Sequence, residues 1–226
     1  MKSILLLHGA IGSKDQLIPL TEQLKSNFDV HTINFSGHGG AAMPEIFSIK
    51  IFANDVLNYL KQNNIEKINI FGYSMGGYVA LYLAKHYPDK VEKVFTLATK
   101  FEWTPEISQK EIKMLDAGKI AEKIPAFAQT LQKRHQPNDW KALLKKTADM
   151  MITLGNTNIM KLPDFASITI PVIISVGEND NMVTLAETKN VCQNLKNGHL
   201  IVFQNTFHPI ERVDVGKLSD ELKLFF

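Results

Sequence analysis

The stretch Gly72-Tyr73-Ser74-Met75-Gly76-Gly77 constrains the fold of this chain more than any other. The apolar, β-branched residues 67–71 before it predict a buried strand, and residues 78–86 after it predict a helix that ends before a proline. Small residues at a sharp strand-to-helix turn let both elements pass closely and lift the serine hydroxyl above the sheet. The stretch is therefore typical of a nucleophile elbow, with Ser74 as nucleophile and the Met75 N–H facing developing negative charge. A glycine-rich turn with a capping serine is the alternative.

The rest of the chain alternates strand and helix patterns, which predicts a doubly wound, mostly parallel α/β sheet with helices on both faces. Five further strands are predicted at 4–7, 30–35, 91–98, 170–176 and 199–203. Residues 99–162 contain only helical patterns, and we interpret about 100–137 as a helical cap inserted after the fourth strand. Its apolar stripes could also simply fill a core. Nothing between these segments resembles a linker, so we expect one domain spanning residues 1–226.

Composition excludes several classes of function. A net charge of +2 does not favour nucleic-acid binding, and two arginines are too few for a multi-arginine clamp on an anionic substrate. No apolar run is long enough to cross a bilayer, and the first residues are too short for a signal-peptide core. Cys192 is the single cysteine, so no intrachain disulfide can form. We expect a cytoplasmic protein without metal, cofactor or membrane partner.

Three residues with complementary chemistry follow predicted strands. Ser74 follows the third strand, Asp180 the fifth and His208 the sixth, and the carboxyl ends of parallel strands meet at one edge of a sheet. Histidine can take the serine proton during attack, while a carboxylate fixes the imidazole tautomer. Glu178 and Glu102 are alternative acids. The other six histidines are expected to be structural.

Five motifs follow one another along the chain: residues 8–9, residues 36–39, the elbow, residues 177–180 and residues 208–211. Together, and in this order, they resemble the α/β-hydrolase superfamily over essentially the whole chain. The resemblance implies the triad Ser74, Asp180 and His208. It also implies a second oxyanion N–H at Ala10, with Ile11 as the alternative. Because no residues are available for the hairpin that precedes the first strand in many relatives, we expect six strands in the order 2-1-3-4-5-6, and a short cap.

The expected function is hydrolysis of a small carboxylic ester or related acyl compound, with Tyr73, Trp103 and Met182 lining the acyl pocket. A lyase or carbon–carbon hydrolase on the same triad is one alternative. The menaquinone-pathway lyase of the superfamily, however, carries an arginine where this chain has Tyr78. A ligand receptor that retains a slow triad is the other alternative.

Overall fold

A computed structural model describes all residues from Met1 to Phe226. Its centre is a sheet of six strands in the order β2-β1-β3-β4-β5-β6, and every neighbouring pair is parallel. The strands are β1 (Lys2–Leu7), β2 (Phe28–Thr32), β3 (Ile68–Tyr73), β4 (Val91–Leu97), β5 (Val172–Gly177) and β6 (Gly198–Phe203). The predicted doubly wound sheet and its strand order are confirmed.

Helices connect the strands on both faces. They are α1 (Ile18–Leu24), α2 (Ile49–Gln62), α3 (Met75–His86), α4 (Pro105–Glu111), α5 (Ala117–Lys123), α6 (Pro125–His135), α7 (Trp140–Asn156), α8 (Leu162–Phe165), α9 (Leu185–Asn194) and α10 (Val215–Phe225). The sequence pattern predicts one helix from Lys14 to about Asn27 with Ser13 as its cap, whereas the structure has a 3₁₀ turn (Lys14–Leu17) followed by the short α1, which ends at Leu24. The Ser13 hydroxyl has no hydrogen-bond partner, whereas its N–H donates to Gln16 Oε1.

The alternation of side chains along the strands divides the apolar core into two layers. Leu5 and Leu7 of β1 belong to the larger cluster, which includes side chains of α2, α3, α7 and α9. Ile4 and Leu6 point to the other face, where α1 and α10 cover the sheet. Because the sheet is buried on both faces, its central strands are continuous apolar runs.

The segment between β4 and β5 is helical and contributes to both the main core and a separate small core. Leu143 and Met150 of α7 join the larger cluster, while Leu131 and Trp140 belong to a third cluster of four buried residues. Helix α4 packs closely on α7 at Gly155, where an added Cβ would lie 2.4 Å from Ser108 Oγ. This contact fixes the position of α4 over the carboxyl ends of the strands. None of the helices has both the length and the apolar character of a bilayer span.

Candidate active site

Ser74 lies in the turn between β3 and α3 with a strained backbone. Its φ of 52° and ψ of −117° fall where residues with a side chain are rarely found, at a cost of about 1–3 kcal/mol. Two contacts hold the turn: the Ser74 N–H donates to the Leu97 carbonyl at 2.8 Å, and the Thr99 hydroxyl donates to the Ser74 carbonyl at 3.1 Å. A Cβ at Gly76 would lie 2.5 Å from the Leu7 carbonyl oxygen, so only glycine lets α3 pass β1 at this distance.

His208 lies between Ser74 and Asp180. Its Nε2 is 3.4 Å from Ser74 Oγ, and its Nδ1 is 2.8 Å from Asp180 Oδ2. The Asp180 side chain is 0% exposed, and its other oxygen accepts from the N–H groups of Met182 and Val183 at 2.8 and 2.9 Å. Both carboxylate oxygens therefore act as hydrogen-bond acceptors, and His208 carries its proton on Nδ1 to donate to Asp180. This tautomer leaves the Nε2 lone pair directed at the serine.

The structure separates the three candidate acids. Glu178 is exposed and accepts from the Asn205 N–H at 3.0 Å, so it is not in contact with the imidazole. Glu102 is also exposed. A buried carboxylate that the sequence analysis did not single out, Glu187, accepts from the Phe101 N–H at 3.0 Å and pairs with Lys100 at 3.3 Å. Only Asp180 reaches the candidate base.

Two N–H groups are available beside the serine. Met75 is the first residue of α3, and the first N–H groups of a helix have no acceptor within it. The N–H groups of Ala10 and Ile11 donate to no backbone acceptor. Ala10 lines both cavities next to Ser74, whereas Ile11 lines only one. Ala10 is therefore better placed than Ile11 to share an oxyanion with Met75.

Two buried histidines hold the loop that contains Ala10. His8 Nδ1 contacts the Gly9 carbonyl at 2.8 Å, and His8 Nε2 accepts from the Phe35 N–H at 3.2 Å. His135, from the end of α6, contacts the Ile11 carbonyl through Nε2 at 3.0 Å and accepts from the Gly39 N–H through Nδ1 at 3.1 Å. Burial lowers the pKa of both imidazoles to about 4, so each is neutral with a fixed tautomer at pH 7.

Arg134 also contacts this loop, and a third buried histidine, His38, lies beside it. Arg134 donates to the Ile11 carbonyl at 3.1 Å, which therefore accepts from two consecutive residues of α6. Burial, followed by the charge of nearby His8, lowers the pKa of His38 well below its ordinary value, and its Nε2 has no hydrogen-bond partner. The sequence analysis expected every histidine except His208 to be structural, but it could not name the partners of His135, because nothing local to α6 shows that it meets Ile11.

Ser74 lies between two cavities. The inner cavity, about 50 Å³, is mostly apolar and is lined in part by Trp103, Met150 and Leu154. The outer cleft, about 330 Å³, is lined in part by Phe127 and Arg134. Both are bordered by a shared set of residues from the sheet and the helical segment: Ala10, Ser74, Glu111, Met151, Met182 and His208.

The three residues predicted to line a pocket are placed differently. Trp103 lines the inner cavity and Met182 lines both cavities. Tyr73 borders only the outer cleft, and its hydroxyl donates to the His208 carbonyl at 3.0 Å. Burial raises the pKa of Tyr73, so the hydroxyl keeps its proton and supports the His208 loop. No group of three or more His, Cys, Asp or Glu side chains is arranged to hold a metal ion.

Comparison with known proteins places the chain in a family. The model of the alpha/beta hydrolase fold matches residues 2–130, which is more than half of the chain. The protein therefore belongs to the alpha/beta hydrolase fold family, as the resemblance of its motifs indicates.

Several similar proteins have esterase names. The chain is 26% identical over 228 residues to a pimeloyl-[acyl-carrier protein] methyl ester esterase of Neisseria meningitidis, covering 92% of this chain and 87% of that protein. It is 32% identical over 93 residues to an abhydrolase domain-containing protein of Schizosaccharomyces pombe, covering 40% of this chain but only 34% of that protein. A solved esterase from Thermogutta terrifontis shares the fold with a TM-score of 0.80 at 19% identity, covering 100% of this chain and 89% of the other.

Proposed function

We propose that this protein is a serine hydrolase that cleaves a small carboxylic ester or related acyl compound, with Ser74, His208 and Asp180 as its catalytic triad. The observation that carries the proposal is the continuous line of contacts from Asp180 through the imidazole to Ser74 Oγ, at 2.8 and 3.4 Å. The esterase names of the relatives support an ester as the scissile bond.

The proposed reaction begins when Ser74 Oγ attacks the carbonyl carbon and His208 Nε2 takes its proton. The 3.4 Å separation is at the long end of a hydrogen bond, and such contacts shorten when substrate orients the serine. Asp180 holds Nδ1–H and stabilises the imidazolium. The N–H groups of Met75 and Ala10 donate to the oxyanion, and each contributes about 3 kcal/mol of transition-state stabilisation. His208 then protonates the leaving alcohol, and a water deacylates the enzyme by the same route.

The two cavities suggest how an ester is oriented. We place the acyl group in the narrow, apolar inner cavity and the alcohol group in the wider outer cleft. Tyr78 also lines the inner cavity, and its hydroxyl donates to Asn158 Oδ1 at 2.6 Å. This neutral residue stands where the lyase of the superfamily carries an arginine, which favours an ester hydrolase over that lyase.

Turnover of p-nitrophenyl esters from acetate to laurate tests the proposal. We expect the rate to fall towards laurate because the inner cavity is narrow, and we expect Ser74→Ala to lower kcat by about 10⁶-fold. Ser167→Ala is a matched control, because this serine is exposed and donates only to the Asp164 carbonyl. Turnover that survives in Ser74→Ala would reject the triad assignment.

A further inference from the structure

We infer that Lys100 and Glu187 are positioning residues, a buried ion pair that holds the loop of Asp180 in register with the turn of Ser74. This inference rests on the proposed function and deepens it, because it assigns two residues outside the triad to the geometry of the triad. Lys100 lies just beyond β4, and Glu187 lies in the first turn of α9. Neither side chain takes part in the proposed reaction.

The chain that leaves β4, residues 97–102, contacts the turn of the nucleophile. The Leu97 carbonyl accepts from the Ser74 N–H at 2.8 Å, and the Thr99 hydroxyl donates to the Ser74 carbonyl at 3.1 Å. Ala98, between these two residues, has a φ of 56°, in the left-handed region that residues with a side chain seldom adopt. The chain therefore turns sharply beside Ser74 before it reaches Lys100.

Lys100 then contacts the loop of the candidate acid. Its Nζ donates to the Met182 carbonyl at 3.0 Å. The N–H of the same residue, Met182, donates to Asp180 Oδ1 at 2.8 Å. The lysine therefore holds a residue that orients the triad carboxylate. Because Asp180 Oδ2 is 2.8 Å from His208 Nδ1, a displacement of this loop also changes the position of the imidazole.

Glu187 joins the two segments. Its Oε1 accepts from the Phe101 N–H at 3.0 Å. Its Oε2 accepts from the Thr184 N–H at 3.2 Å and lies 3.3 Å from Lys100 Nζ. One carboxylate thus connects the chain that leaves β4 with the loop between β5 and α9. The nucleophile turn and the acid loop are linked through this group and through Lys100.

The depth of this ion pair favours a positioning role. The Lys100 side chain is 14% exposed and the Glu187 side chain 1%, which makes this the most buried of the ion pairs formed by lysine or arginine. Apolar residues of similar volume are often as good for stability as a buried ion pair. A fixed distance between the nucleophile and the acid gives the two charges a use that stability alone does not.

Kinetics of the double variant Lys100→Met/Glu187→Gln test the inference. The variant leaves no unpaired buried charge, so it should keep a cooperative thermal transition, but its new side chain at position 100 cannot donate to the Met182 carbonyl. We expect kcat for p-nitrophenyl acetate to fall about ten- to a hundredfold, with KM changed by less than about threefold. Should this variant fail to fold, Lys100→Gln provides the same comparison, because its shorter, neutral side chain cannot make both contacts.

Lys85→Met is the matched control. Lys85 lies in the last turn of α3 and pairs with Asp164 at 2.8 Å, partly buried and at the opposite end of that helix from Ser74. Its replacement should leave kcat within about twofold of the wild type. A kcat within about twofold of the wild type in the folded double variant as well would overturn the inference.

The same comparison in an Asp180→Asn background tests whether the effect passes through the acid. A positioning role predicts a fall of less than about threefold there, because the amide no longer controls the imidazole. An equal fall in both backgrounds would overturn the inference. So would a rise in KM with kcat unchanged, which would assign Lys100 to substrate binding in the inner cavity that it also lines.

Proton NMR distinguishes failure of this inference from failure of the proposed function. The proton that His208 Nδ1 donates to Asp180 should give a resonance far downfield of the amides, identified by its loss in His208→Gln. A shift or loss of this resonance in the double variant, with no change in Lys85→Met, supports the positioning pair even if the wild type hydrolyses no ester. An unchanged resonance in the double variant contradicts the positioning pair, even if the wild type hydrolyses esters as proposed.

Discussion

Replacement of His135 by leucine tests the contact between α6 and the loop that contains Ala10 and Ile11. The imidazole accepts from the Gly39 N–H at 3.1 Å and contacts the Ile11 carbonyl at 3.0 Å. Leucine can fill the space but offers no polar atom. The Gly39 N–H then loses its acceptor, while the Ile11 carbonyl still accepts from Arg134. The change therefore leaves one partly buried donor unsatisfied and one acceptor with a single partner.

The expected loss of stability follows from these contacts. An unsatisfied buried donor costs about 1–3 kcal/mol and a lost hydrogen bond about 1 kcal/mol, so His135→Leu should lower the free energy of unfolding by about 2–4 kcal/mol at pH 7.5. For a chain of this length, that corresponds to roughly 5–15 °C in Tm. We also expect kcat for p-nitrophenyl acetate to fall, by at most the factor of about 10²–10³ that the loss of one oxyanion donor causes.

The difference in unfolding free energy between the wild type and His135→Leu should shrink at acidic pH. The pKa of His135 is about 4 in the folded protein, below its ordinary value of 6.5, because the ring is buried. Below pH 6.5 the unfolded wild type takes up a proton that the folded state excludes, so the wild type loses stability as the pH falls towards 4. The leucine variant has no such proton to bind. The wild type should therefore exceed His135→Leu in unfolding free energy by about 2 kcal/mol less at pH 5 than at pH 7.5.

Urea denaturation at pH 7.5 and pH 5, followed by circular dichroism, measures both effects. His135→Gln is the matched control, because its amide offers one donor and one acceptor and should retain most of the stability. His199→Gln controls for loss of an exposed histidine. If His135→Leu is as stable as the wild type at pH 7.5, or if the gap is the same at both pH values, the assigned contacts are wrong.

Four further outcomes are expected. Asp180→Asn should leave the fold intact but lower kcat by about 10⁴-fold, measured with p-nitrophenyl acetate, because the amide favours the wrong imidazole tautomer. The pKa of His8 is lowered by burial to about 4, so protonation of this residue in the unfolded state should destabilise the wild type by about 2.4 kcal/mol between pH 7 and 4.5, a loss that urea titrations of wild type and His8→Gln will resolve. Glu187→Gln should destabilise by about 3–5 kcal/mol, with partial recovery on adding Lys100→Met, as judged by urea midpoints. Gly76→Ala should prevent stable folding, seen as loss of the cooperative thermal transition, since its Cβ would meet the Leu7 carbonyl oxygen at 2.5 Å.

The sheet could be predicted from the sequence because its determinants are local. Buried parallel strands are short apolar runs, and each is followed by a loop with glycine or polar residues before the next helix. The same logic brings Ser74, Asp180 and His208 to one edge, since each follows a strand. The start of the first helix was predicted less well. Pro19 and the hydrogen bond from the Ser13 N–H to Gln16 produce a 3₁₀ turn there, which apolar periodicity does not reveal.

The supporting residues of the candidate site could not be predicted in the same way. His135 meets Ile11 across 124 positions of sequence, and Glu187 meets Lys100 across 87. These contacts depend on how the helical segment lies on the sheet, which the amphipathic pattern of each helix does not specify. Glu111 was missed for a related reason: a single acidic residue at a helix end usually faces water, and only packing of α4 on α7 shows that this one does not.

The position of Ser74 between two compartments of unequal width bears on the order of events in turnover. In the reaction proposed above, an alcohol released into the outer cleft can diffuse away while the acyl group, still esterified to Ser74, stays in the inner cavity. The departing alcohol clears the side from which the hydrolytic water must approach. Under the same proposal, a bulky alcohol that stays in the outer cleft would delay deacylation, or would recapture the acyl group and return the starting ester. The width of the outer cleft would then set the balance between hydrolysis and transesterification.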